Sequence, residues 1–187
     1  MGNFLFKIRG FTPLVFVIIA LVWAELNPIL LGIGFILAIS GELLRIRSIR
    51  SAGGATRTRE VGAPFLVTDG PYAYTRNPLY TANILIYTGF ALASGALLPY
   101  LTILALFFFI FQYTMIVRLE EQTLIGIFGE EYEKYRETVP RIIPRLRAGV
   151  KHFESRFSLA EALRQEKRTL QSFTVVWVAL AIRFIFF

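Results

Sequence analysis

The chain of 187 residues is 55% apolar, holds 18 phenylalanines and carries a formal charge of +7, a composition that a soluble globular domain does not fit. Its Lys and Arg residues flank apolar runs instead of forming a polar domain, so the charge reads as membrane topology and excludes nucleic acid as the expected partner. Without Cys and with a single His, His152, the sequence offers no ligand set for zinc or iron–sulfur clusters and no thiolate, and no metal is expected.

The expected fold is an all-α integral membrane protein, a bundle of four to five transmembrane helices. The first apolar run, Phe11 to Ala24, follows Lys7 and Arg9 and lacks a small-x-small cleavage site before Glu25, so it reads as a span over about 10–25. Glu25 to Pro28 reads as a tight turn into a second span over about 28–44. On that span Gly32, Gly34, Ala38 and Gly41 recur at short helical intervals and permit close packing. Glu42 is the only carboxylate well inside an apolar run, one turn before Arg45; it is either a functional-site residue or forms a snorkelling pair with that Arg.

Gly70 and Pro71 then make a turn, and Arg76, Asn77 and Pro78 open a third span over about 79–94, with Asn77 placed as N-cap and Pro78 at the first helical position. Arg76 beside a helix N-terminus either anchors the span at the headgroups or forms an anion site for a carboxylate or phosphate. Tyr80, Asn83 and Tyr87 follow at helical spacing as one polar-aromatic stripe. From Asn77 to Val117, 41 residues carry no charge. That is room for two crossings of a ~30 Å hydrocarbon core at about 20 residues each, so a fourth span over about 98–117 brings the chain back to the side it left. There Arg118 is followed by Glu120 and Glu121. These carboxylates either pair with Arg118 or Arg76, or hold a ligand's hydroxyl pair or cationic group; Glu120 shares a helical face with Tyr113.

From Ser158, a capping box with Glu161 and a Leu159, Leu163, Leu170 pattern reads as a surface-lying amphipathic helix. The closing run over about 171–187 contains Arg183 and either forms a fifth span or lies in the interface. Lys and Arg number 2 before the first span, 6 between the second and third, 11 between the fourth and the closing run, and none in the short turns. This asymmetry puts the N-terminus and the large basic loops in the cytoplasm. Both polar blocks, Gly70 to Tyr80 and Arg118 to Pro144, then meet at that face.

In order and spacing these blocks resemble the membrane methyltransferases related to isoprenylcysteine carboxyl methyltransferase and the phospholipid N-methyltransferases. The first block supplies Gly70, Tyr72, Arg76, Asn77, Pro78 and Tyr80; the second supplies Glu120, Glu121, Leu124, Phe128, Gly129, Glu131, Tyr132, Tyr135, Val139 and Pro140. Residues 1–144 form the methyltransferase-like domain, with the resemblance strongest over 41–144, and 145–187 are a C-terminal extension. The resemblance implies S-adenosylmethionine as cofactor, bound by Arg76, Asn77, Pro78, Tyr80, Glu120 and Glu121, and a lipophilic or amphipathic acceptor entering from the membrane lipids, either a lipid headgroup amine or the carboxylate or thiol of a lipophilic or prenylated substrate. Arg118 stands near the family's acceptor-binding Arg and, with Glu42, is the expected catalytic pair. Asn77 stands where the family usually has His. Two other classes compete: an NADPH-dependent membrane reductase of the sterol reductase type, and a non-catalytic membrane scaffold.

Overall fold

The structure, a computed structural model, describes residues 2–53, 64–147 and 155–186. Among these residues every regular element is helical, so the protein is an all-α membrane protein. His152 lies outside the described residues.

Helices α1 (Gly2–Ile8) and α2 (Thr12–Val22) are one apolar run broken at Arg9 to Phe11, where the axis bends by 55°. The expected turn at Glu25 to Pro28 starts α3 (Pro28–Ala52): the Asn27 carboxamide oxygen accepts the N–H groups of Ile29 and Leu30 at 3.1 Å each, and Pro28 fills a position whose N–H has no helical partner anyway. A short 3-10 turn at Gly70–Ala73 leads into α4 (Pro78–Ala93), which is followed by α5 (Tyr100–Phe128) and α6 (Glu130–Thr138). Gly129, at φ 54°, separates α5 from α6 in a conformation that an L side chain resists. Helix α7 (Leu159–Phe186) begins with the expected capping box, in which Ser158 N–H donates to Glu161 Oε2 at 2.7 Å and Glu161 N–H donates to Ser158 Oγ at 3.3 Å.

Three helices, α3, α5 and α7, are individually long and apolar enough to cross a membrane, and α1 with α2 qualify jointly as a bent fourth. Two expectations change. The third span, α4, has 16 residues, about 24 Å at 1.5 Å per residue, and is short of a full crossing. It is instead the central helix, largely buried against α3 and α5. The closing segment, expected as a surface helix plus an open fifth span, is one continuous helix whose apolar outer face is exposed at Val175, Val178, Ile182 and Ile185.

Small residues set the α3–α4 distance. A Cβ on Gly89 would meet Gly34 O at 2.6 Å, and one on Gly41 would meet Ala82 O at 2.7 Å, so the two backbones touch. Gly32, read from its spacing as part of this stripe, faces open space. Gly89→Ala is therefore expected to cost about 1–3 kcal/mol through overpacking, read as a lowered Tm in detergent micelles. Gly32→Ala is expected to leave Tm in place.

The turns at 23–27 and 94–99 lie together at one end of the bundle, where Glu25 N–H donates to Ser94 O at 2.9 Å. The opposite, polar end gathers α1, the start of α4, the end of α5, α6 and the start of α7. Arg156 ties the start of α7 there, donating its N–H to Arg50 O at 2.8 Å and its guanidinium to Asp69 at 2.8 Å.

Candidate functional site

The two polar blocks meet, as their spacing predicts, and the junction is extensive. Arg76 N–H donates to Pro140 O at 2.9 Å, and Arg145 N–H donates to Tyr74 O at 3.0 Å. The Thr75 hydroxyl donates to Arg141 O at 3.1 Å, the Thr81 hydroxyl to Ile142 O at 2.8 Å, and the Tyr135 hydroxyl to Tyr72 O at 2.7 Å. Tyr132, Tyr135 and Val139 are buried with Leu66, Leu124 and Phe128 around them as a satellite core. Burial raises the phenols of Tyr72, Tyr132 and Tyr135 well above their ordinary range, so each remains a neutral hydroxyl.

Asn77 occupies the N-cap position of α4, but its side chain does not cap the helix. Its Nδ2 donates to Arg141 O at 3.0 Å, because the 140–142 segment crosses the helix start and presents its carbonyls to this part of the chain.

Glu121 is the electrostatic centre of the junction. Its Oε1 accepts from Arg76 Nε at 3.0 Å and Nη2 at 2.7 Å, and its Oε2 accepts from Arg141 Nε at 3.0 Å and Nη2 at 2.6 Å. Two forked guanidiniums thus share one carboxylate. Arg76 Nη1 donates to the carbonyls of Arg136 and Val139, both at 2.6 Å, which uses most of that guanidinium's donors inside the protein. Arg76 and Glu121 are thereby fixed to each other, and neither is left as the open anion or diol site anticipated for it.

Glu120, one position earlier on α5, faces the other way, into a cavity of about 510 Å³. Tyr72, Arg76, Asn77, Pro78, Tyr80 and Glu120 line its polar end, together with Arg9, Leu66, Leu124, Tyr132 and Tyr135. Arg9 holds its guanidinium 3.5 Å above the Phe6 ring and donates to Phe6 O at 3.1 Å. The Tyr80 hydroxyl donates to Glu120 Oε1 at 2.6 Å, and the Tyr80 ring stacks on Tyr113 with centroids 4.7 Å apart. From there a polar spine runs into the bundle. Asn83 Nδ2 donates to the Tyr113 hydroxyl at 3.2 Å, Asn83 Oδ1 accepts from Arg45, and Arg45 is paired with Glu166 of α7 at 2.9 Å. Arg45, Asn83, Tyr87, Tyr113 and Thr169 are part of the inner wall.

Of the expected site residues, Arg76, Asn77, Pro78, Tyr80 and Glu120 are gathered on this one cavity. Glu121 stands behind it. Arg118 is exposed and is not part of the wall. Glu42 is buried, lies outside the wall, and neither of its carboxylate oxygens has a hydrogen-bond partner among the described residues. The pair foreseen between Glu42 and Arg45 is replaced by Arg45 with Glu166, 121 residues away. Arg9, Arg45, Arg141 and Glu166 went unrecognised as site residues; Arg45 entered the sequence reading only as the partner of Glu42.

Comparison with known proteins agrees with this geometry. The phospholipid methyltransferase family model matches residues 29–131, just over half of the chain and containing α3, α4 and α5. A methanethiol S-methyltransferase of Crocosphaera subtropica is 33% identical over 73 residues, 39% of this chain and 27% of that protein. A protein-S-isoprenylcysteine O-methyltransferase of Schizosaccharomyces pombe is 37% identical over 79 residues, 42% of this chain and 33% of that protein. A cobalt-zinc-cadmium resistance protein, CzcN, of Cupriavidus metallidurans is 36% identical over 81 residues, 43% of this chain and 36% of that protein. The chain thus spans about a third of the length of the curated relatives it matches. By the extent of the family match, this protein belongs to the phospholipid methyltransferase family.

Proposed function

We propose that the protein is an S-adenosylmethionine-dependent methyltransferase acting on a lipophilic or amphipathic acceptor at the cytoplasmic face of a membrane. The observation that carries this reading is the cavity that joins a charged polar end to the interior of an apolar helical bundle. Its volume of about 510 Å³ is in the range of cofactor-sized sites. Methyl transfer to a membrane-dissolved acceptor needs a polar cofactor and an apolar substrate in one enclosed space.

The donor set fits the proposed cofactor. Glu120 supplies a carboxylate for a ribose diol, Arg9 a guanidinium for an amino-acid carboxylate, and Leu66, Leu124, Tyr72 and Tyr132 apolar and aromatic surface for an adenine. Bound there, S-adenosylmethionine supplies an electrophilic methyl group. The chain's own residues orient and enclose: Tyr80 fixes Glu120, and Arg76 with Glu121 and Arg141 locks the two polar blocks into one wall that excludes water. The charge asymmetry of the loops supports placing this wall in the cytoplasm, where a soluble cofactor is available. The names of two relatives add thiol and isoprenylcysteine methylation as acceptor chemistries for this chain.

The test is calorimetric titration of the purified protein in lipid nanodiscs. S-adenosylhomocysteine is expected to bind with saturable heat, and NADPH to give none. Binding of NADPH alone would favour a reductase, and binding of neither a scaffold.

A further inference from the structure

Helix α7 has two unlike faces. The inner one brings Glu166 to Arg45 and Thr169 to the cavity. The outer one carries a shallow groove of about 700 Å³ that runs from Arg164 and Lys167 past Gln171 and Thr174 to Val175. These residues follow one another at helical intervals of three and four, and the same stripe continues through the exposed Val178, Ile182 and Ile185. Along it the chemistry changes in a fixed order: two cations at the polar end of the bundle, then two hydrogen-bonding side chains, then apolar surface. Arg164 and Lys167 are exposed and form no ion pair among the described residues, and no carboxylate lines the groove. The acids of this part of α7 are committed elsewhere. Glu161 accepts the Ser158 N–H and hydroxyl at 2.7 Å each, and Glu166 is buried against Arg45. An anion is therefore the complement of this end of the groove, and an ammonium finds no counter-charge in it.

We infer that the outer face of α7 is a docking site for an anionic phospholipid of the surrounding bilayer. Arg164 and Lys167 hold its phosphate, Gln171 and Thr174 lie beside its ester region, and one acyl chain runs along Val175, Val178 and Ile182. From Gln171 to Ile182 the helix rises about 16 Å, close to half of a ~30 Å hydrocarbon core, so the chain has apolar surface along its length. Any exposed cation at a membrane surface attracts anionic lipid. What distinguishes this face is that both cations, the polar pair and the apolar strip lie in register on one side of one helix. The inference does not depend on methyl transfer. Helix α7 lies outside residues 29–131, so this surface is not part of what the family match covers. Among the three long apolar helices α7 is the least buried. A lipid seated on its outer face fastens the helix that carries Glu166 and Thr169 to the cavity.

The experiment mixes delipidated protein in micelles with dioleoyl phosphatidylglycerol or dioleoyl phosphatidylcholine, which share their acyl chains and differ in head-group charge. Retained lipid is counted by native mass spectrometry, and Tm is measured in parallel. Wild type is expected to retain phosphatidylglycerol about ten-fold more than phosphatidylcholine, and only phosphatidylglycerol is expected to raise Tm. The double variant Arg164→Gln, Lys167→Gln alters exposed side chains, so its Tm before lipid is added is expected to match wild type. It is expected to lose both the preference and the lipid-induced rise. Arg47→Gln with Arg118→Gln removes two exposed cations outside the groove and is expected to keep both. Equal retention of the two lipids by wild type, a preference that survives loss of Arg164 and Lys167, an equal loss in the control pair, or the same rise in Tm with inorganic phosphate overturns the inference.

Discussion

Glu121→Ala is expected to lower the stability of the protein by about 3–5 kcal/mol, the cost of breaking a buried ion pair from one side. It is also expected to abolish S-adenosylhomocysteine binding. Both oxygens of Glu121 are engaged by guanidiniums, and the Arg76 and Glu121 side chains are 7% and 5% exposed. Removing the carboxylate leaves Arg76 buried without a counter-charge beside Arg141. That repulsion loosens Arg76 from the carbonyls of Arg136 and Val139 and separates the first polar block from the second. Cofactor binding is lost because the wall that carries Tyr72, Tyr80 and Tyr132 comes apart, not because a ligand contact disappears. Thermal unfolding in micelles measures the first effect and calorimetry the second. Arg118→Ala, at an exposed position outside the wall, is the matched control and is expected to change stability by less than about 0.5 kcal/mol.

Glu120→Gln is expected to separate the two effects. Its carboxylate faces the cavity and accepts one internal bond, from Tyr80, which a carboxamide oxygen also accepts. Stability is therefore expected to hold. A hydrogen bond to a charged group contributes about 1.5–3 kcal/mol, so affinity for S-adenosylhomocysteine is expected to fall by about ten- to a hundredfold. An adjacent pair of glutamates would then divide into one that builds the site and one that binds in it. Equal losses of binding without loss of stability in both variants would contradict that division.

That division was not legible in the sequence, and the reason is geometric. Consecutive residues on a helix point about 100° apart, so Glu120 and Glu121 face different surroundings, and only the position of the 140–142 segment decides which one meets Arg76. The hairpin and the meeting of the polar blocks were legible, because the uncharged run is long enough for two antiparallel helices that return the chain to its starting side, even though α4 is short of a full crossing. Asn77 was placed correctly as the residue before α4, yet its carboxamide bonds a carbonyl brought in by tertiary structure. The continuity of α7 had a readable signal: no Gly or Pro interrupts the chain from Leu159 to Phe187. Glu166 had none. It sits in a polar stretch that resembles a solvated face, and its burial against Arg45 follows from the way α7 packs on α3.

The central claim is that methyl transfer takes place in the cavity fronted by Glu120. The most direct measurement is incubation of wild type and Glu120→Gln with methyl-labelled S-adenosylmethionine, at a concentration below the expected Kd, and total membrane extract, followed by partition into aqueous and organic phases. Wild type is expected to move label into an organic-soluble product, and Glu120→Gln to do so at about a tenth of that rate or less. No labelled product from wild type, or equal labelling by the two proteins, would contradict it.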